Sequence, residues 1–263
     1  MAQAMTLNVG VKNWSQGKNI IELDVPPELE KTALTGVDWF DDALGGEGVT
    51  PSSSILFTGG AGAGKTTLCL QLANSITKRG HIALFNTGEE SLYQVRKVTK
   101  RLGIKDGFVA GQDSKVSDLL KHADFLRKKN NGKQLFIIHD SLQTLDDGFY
   151  TNGAINSMSQ VRSTEIVTDY CKQHYSIGIL IGQINKSGDF AGKMQIKHAV
   201  DVHAHLWIDE EKKSDTWGER LFTVSKNRFG CNGKTYVLGL DEKGLWEKGR
   251  FQPGNNQKRP STT

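Results

Sequence analysis

Eight consecutive residues, Gly59-Gly60-Ala61-Gly62-Ala63-Gly64-Lys65-Thr66, have the types and spacing to hold phosphate. They fit the pattern G-x-x-x-x-G-K-[ST]. The glycines let the backbone curl until its N–H groups face one centre, and the N-terminal end of a following helix adds its dipole. Lys65 then reaches the β- and γ-phosphates of a nucleotide, the Thr66 hydroxyl holds Mg²⁺, and Thr67 continues the same first helical turn. An ordinary glycine-rich turn is the bland alternative, and the flanks argue against it. Ser54-Ile55-Leu56-Phe57-Thr58 reads as a buried strand before the loop. Behind it, Leu68, Leu72, Ala73 and Ile76 recur at helical spacing, and Lys78, Arg79 and Gly80 supply a helix C-terminus.

A second group of polar residues stands at the ends of other apolar runs. Leu135-Phe136-Ile137-Ile138-His139 leads into Asp140, the pattern of a strand whose terminal carboxylate helps fix Mg²⁺. His81 to Asn86 reads as another core strand and ends in Thr87-Gly88-Glu89-Glu90-Ser91, where two acids lie at the ligand-binding edge of an open α/β sheet. Ile177 to Gly182 is a further buried strand ending in Gln183, an amide placed to sense a γ-phosphate. His203 and His205 share a strand face and read as an exposed pair rather than a metal site, because no third ligand is near in sequence.

The elements that position these groups follow in order. Residues 1–32 are polar, with Pro26-Pro27 breaking any helix, and read as an arm or a segment that docks on a neighbouring subunit. Val37, Phe40, Ala43 and Leu44 form one face of a short helix ended by Gly45-Gly46. Helices are expected over 92–102, 117–129 and 159–173, and irregular loops over 146–158 and 185–195. Strands at 203–208, 221–225 and 235–240 read as the antiparallel extension of a mostly parallel sheet. The body of the chain is thus expected over 33–248, with 249–263 a disordered polar tail.

Bulk properties narrow the class. A chain of 263 residues suits one large domain with short extensions. Its net charge of +4 is compatible with nucleic acid without requiring it. Cys69, Cys171 and Cys231 are odd in number and far apart, so neither a zinc quartet nor a disulfide framework is expected, and a reducing cytoplasm is the simpler setting. No run approaches the length of a membrane span. The five tryptophans are scattered and read as packing residues.

Several blocks, in order, resemble the RecA-like ATPase core of the bacterial RadA (Sms) family of DNA-repair and recombination helicases. They are Thr35-Gly36 with Leu44-Gly45-Gly46, the phosphate loop, Gly88-Glu89-Glu90-Ser91 and Asp140-Ser141-Leu142-Gln143-Thr144. Ser159-Gln160-Val161-Arg162 follows, then Ala191-Gly192 with His198-Ala199-Val200-Asp201, and finally Lys226-Asn227-Arg228-Phe229-Gly230. The last pentapeptide is far more specific than a phosphate loop. The resemblance spans residues 33–247 and implies an α/β P-loop fold with ATP and Mg²⁺ as ligands. The family's usual N-terminal four-cysteine zinc finger and C-terminal Lon-like domain have no counterpart in these residues, so the expectation is for the motor core alone.

The resemblance also implies roles. Glu89, with Glu90 second, is the base that orients the attacking water, while Glu90 better suits a helix cap. Arg96 stacks on adenine. Lys226 and Arg228, two apart on one strand face, reach the γ-phosphate held by a neighbouring subunit, an arginine-finger arrangement worth about 10³–10⁵ in rate. The two irregular loops face DNA, with Arg162, Lys186, Lys193 and Lys197 as phosphate contacts. Asp146 and Asp147 weaken the first loop and leave the second the better candidate. The partners implied are single-stranded DNA and further copies of the chain in a hexameric ring, with neither zinc nor membrane. Two alternatives stay open: a DnaB-type replicative helicase, and a KaiC-like ATP-gated oligomer that binds no DNA.

Overall fold

Continuous apolar runs become the parallel interior of one sheet, as strands covered on both faces require. The computed structural model describes residues 19–149, 157–183 and 193–251. Two short helices come first, α1 (Pro27–Glu30) and α2 (Asp38–Ala43). The alternating core follows: β1 (Ser54–Gly59), α3 (Lys65–Lys78), β2 (Ile82–Thr87), α4 (Leu92–Arg101), β3 (Val109–Gly111), α5 (Val116–Lys129), β4 (Leu135–Asp140), α6 (Ser157–His174) and β5 (Ile177–Gln183). Then come α7 (Lys193–Ala199), β6 (Val202–Ile208), β7 (Arg220–Asn227), β8 (Thr235–Asp241) and β9 (Gly244–Phe251).

Among the described residues these strands form one sheet in the order β3-β2-β4-β5-β1-β6-β7-β8-β9. β1 lies between β5 and β6 and is parallel to both, while β6–β7, β7–β8 and β8–β9 are antiparallel pairs. Alternation divides the core. Ile55 and Phe57 face α2, α3 and α4, whereas Leu56 faces α5, α6 and α7.

Several sequence expectations change. Residues 203–208 were expected in the antiparallel extension, but β6 is parallel to β1 and turns antiparallel only toward β7. Because β6 is an interior strand, His203 is buried rather than exposed. The short edge strand β3 and the last strand β9 were not anticipated, and β9 extends to Phe251, past the expected boundary at 248. Pro27 occupies the first position of α1, where its missing N–H costs nothing, so the proline pair starts a helical turn instead of preventing one. Part of the second loop is helical, since α7 begins at Lys193. Among the tryptophans, Trp39 is buried, but Trp217 and Trp246 are exposed.

A candidate nucleotide site at the carboxyl ends of the parallel strands

The phosphate loop joins β1 to α3 and is shaped by its glycines. Gly62 and Gly64 take left-handed φ values of 75° and 107°. A Cβ on Gly59 would collide with the Leu206 carbonyl oxygen on β6, so no side chain fits there. Lys65 opens α3, is buried, and donates from Nζ to the carbonyls of Gly59 and Gly60 at 2.7 and 2.8 Å. Burial lowers its pKa, opposed by the charges of Asp140 and Glu89. Thr67 is half-buried in the same first turn.

The Thr66 hydroxyl donates to Asp140 Oδ2 at 2.5 Å, bringing the loop against the end of β4. Burial pushes the Asp140 carboxyl up to about 6; the Thr66 hydrogen bond opposes the rise, Glu89 adds to it and Lys65 opposes it. A hydroxyl and a buried carboxylate side by side are hard oxygen donors, the chemistry that suits Mg²⁺, so the residues fit that ion. His139, behind Asp140, is held neutral by burial, its pKa lowered to about 4, and its Nδ1 meets the Asn86 amide at 3.0 Å.

Glu89 is fixed from two strands. Gln183 at the end of β5 donates from Nε2 to both carboxylate oxygens, each at 2.7 Å, and the Ser141 hydroxyl donates to Oε1. The loop before it is tied down by the Gly88 N–H, which donates to the Asp140 carbonyl at 2.7 Å. A Cβ on Gly88 would strike Thr144 Oγ1. The Asp140–Ser141 peptide is cis. Glu90 Oε2 is buried and has no hydrogen-bond partner among the described residues. It does not cap α4: that role belongs to Ser91, which forms a reciprocal capping box with Gln94.

The remaining expected residues divide. Arg96 is on the exposed side of α4 and donates to Thr99 Oγ1 at 3.2 Å; among the described residues no hydrogen bond ties it to the phosphate loop. Arg162, expected as a DNA contact, makes its described contacts within the chain. Its Nε donates to the buried carboxylate of Asp147 and its NH2 to the Phe149 carbonyl, so the guanidinium is engaged internally. Lys193 opens α7 and Lys197 is half-buried along it, while Lys186 lies outside the described residues. Lys226 donates to the carbonyls of Lys197 and Val200 at 2.7 and 2.5 Å. Arg228 pairs with Asp201 Oδ1 at 3.1 Å and donates to the His198 carbonyl at 3.2 Å. Both cations therefore meet the C-terminal end of α7, the negative end of its dipole. Burial lowers the Lys226 pKa, and the neighbouring Arg228 charge lowers it further. Asp201, distant in sequence, is the acid adjacent to them in space.

Sequence reasoning missed three supports of the loop. Arg220 at the start of β7 donates to the Ala63 carbonyl at 3.1 Å. Leu245 on β9 packs against Gly64, and the Gln71 side chain holds the Leu245 main chain at 2.9 and 3.1 Å.

Residues 33–107 match the family described as ATPase: KaiC. The chain is 32% identical over 225 residues to the DNA repair protein RadA of Aquifex aeolicus (strain VF5), covering 85% of this chain and 48% of that protein. It is 34% identical over 215 residues to the DNA repair protein RadA of Haemophilus influenzae, covering 81% and 44%. The chain is thus similar to the RecA-like ATPase core of these RadA proteins. It spans about half the length of these curated RadA relatives. A solved DnaB-like replicative helicase superposes with a TM-score of 0.69 at 13% identity, covering 82% of this chain and 61% of that one, and places the RadA-like core in the same fold. No helix among the described residues is long and apolar enough to cross a membrane.

Proposed function

We propose that this RadA-like chain hydrolyses ATP with Mg²⁺ and, as a hexameric ring in the cytoplasm, moves on single-stranded DNA in recombination, repair or replication. One observation carries the reading: Gln183, two residues before the loop expected over 185–195, donates to both oxygens of Glu89. An acid suited to polarise water and the strand end that leads into the DNA-facing loop are thus one hydrogen bond apart.

The roles follow from charge and position, since phosphoryl transfer is catalysed by positioning and electrostatics. The N–H groups of residues 59–66 and Lys65 Nζ bind the β- and γ-phosphates; to do so, Lys65 exchanges its two loop carbonyls for phosphate oxygens. Thr66 and Asp140 would hold Mg²⁺, which supplies charge neutralisation on the phosphates when bound. Glu89 orients the attacking water and accepts its proton. Lys226 and Arg228 serve the neighbouring subunit's γ-phosphate, and the Arg228 side chain, 47% exposed, retains donors for that contact. Arg96 stacks on adenine. Lys186, Lys193 and Lys197 neutralise DNA phosphates without reading sequence.

The match of residues 33–107 to the KaiC family favours a second reading, an ATP-gated oligomer without DNA. ATP turnover measured with and without single-stranded DNA, alongside oligomer mass, separates the two. Hexamers whose turnover rises with DNA are expected. Slow, DNA-independent hexamers favour the second reading, and absence of hydrolysis refutes both.

A further inference from the structure

Asp201 is a buried, multiply bonded carboxylate outside the nucleotide site. Its side chain is 1% exposed, at the junction of β1, α7, β6 and β7. Oδ2 accepts from the Ser54 N–H and hydroxyl, both at 3.1 Å, at the start of the strand that leads into the phosphate loop. The Asp201 N–H donates to the Ser54 carbonyl at 3.0 Å, and its own carbonyl accepts from the Arg228 N–H at 3.2 Å. Oδ1 is left for the Arg228 guanidinium at 3.1 Å.

We propose that Asp201 is the positioning residue for Arg228, fixing one edge of the guanidinium so that its other edge is presented to the neighbouring subunit. This rests on the reading of Arg228 as a cation delivered in trans. Arginine has five N–H donors in a planar fork. Asp201 and the His198 carbonyl take one donor each, from NH1 and NH2. The half-exposed side chain is thereby aimed without its donors being exhausted. A long side chain anchored only at Cα would sample many rotamers, and orientation is where much of the rate lies. The anchor itself is rigid, because the carboxylate is tied to Ser54 at the base of β1. A buried carboxylate also needs a charged partner, which keeps the pair closed in each subunit.

Asp201→Asn separates positioning from folding. The amide oxygen still accepts from Ser54, while the charge facing Arg228 is gone. Lys65→Ala chains act as finger donors and Arg228→Ala chains as phosphate-loop donors, and their mixture is the reference. Placing Asp201→Asn in the Lys65→Ala chain should reduce the mixture's turnover about 10- to 100-fold. Placing it in the Arg228→Ala chain should leave turnover and the KM for ATP unchanged, because that chain supplies only its loop. Ser54→Ala, which frees one tether and leaves the ion pair, should give a smaller loss with the same one-sidedness and stands in if Asp201→Asn fails to fold. Equal losses in both chains would make Asp201 merely structural and overturn the proposal, as would no loss in the finger donor. A reference mixture without activity, although mixed oligomers form, overturns the trans reading beneath it and the proposal with it.

Discussion

Leu245→Ala tests whether the C-terminal hairpin is part of the nucleotide site's foundation. Leu245 is 5% exposed, and its Cδ1 would lie 3.0 Å from a Cβ on Gly64. The hydrogen bonds to Gln71 use the Leu245 main chain, so the substitution leaves them in place. It removes three buried carbons, worth about 0.8 kcal/mol each, or roughly 2.4 kcal/mol in transfer alone. The residual cavity raises the total to about 2–5 kcal/mol. In a domain of this size each kcal/mol moves Tm by about 2–4 °C, so a fall of at least about 5 °C is expected. Because Gly64 loses its neighbour, the ATP concentration for half-maximal turnover should rise as well. Glu247→Ala, exposed on the same strand, is the control and should stay within about 0.5 kcal/mol. Thermal melts by circular dichroism and ATP titrations of turnover read both effects. A Tm change below about 2 °C for Leu245→Ala, with unchanged ATP dependence, would refute the hairpin's role.

Lys65→Ala should abolish turnover while the circular-dichroism spectrum stays that of the parent; near-normal turnover would overturn the phosphate-loop assignment. Arg162→Ala should cost stability, about 3 kcal/mol, by leaving the Asp147 carboxylate buried and unpaired, and should not alter the salt dependence of DNA binding. A denaturant melt and a salt titration check the two halves. Lys186→Ala combined with Lys193→Ala should flatten the log–log salt slope of DNA binding by about one per lost contact, and an unchanged slope would remove that loop from the DNA path.

The parallel half of the fold was legible because its strands are covered on both faces. Ile55 to Phe57 and Phe136 to Ile138 read as unbroken apolar runs, and the glycine loop and Asp140 follow directly from such strands. The antiparallel half was harder. β9 carries Glu247, Lys248 and Arg250 on a partly exposed edge, a charged composition without a clear strand pattern. β3 is three residues long, and α7 is too short to establish a period. His203 was misjudged because its polarity suggests exposure; its ring is satisfied at 2.8 Å by Thr58 and at 2.6 Å by Ser225 from the flanking strands. Glu89 could be proposed from sequence, but its two hydrogen-bonding partners, Ser141 just after β4 and Gln183 at the end of β5, are distant in sequence. The Asp201–Arg228 pair was invisible for the same reason: no local pattern links an acid after α7 to an arginine after β7.

The most direct test of the central claim, an ATPase completed by its neighbour, mixes Lys65→Ala with Arg228→Ala. Arg228→Ala alone should bind ATP nearly as the parent does, since residues 59–66 make that site, yet turn it over poorly. In mixed oligomers an intact loop from one chain meets an intact Arg228 from the other. Turnover of the mixture above the sum of the two variants is the predicted result. No gain, with mixed oligomers demonstrated by mass, would contradict it and leave Arg228 a partner of Asp201 within its own subunit.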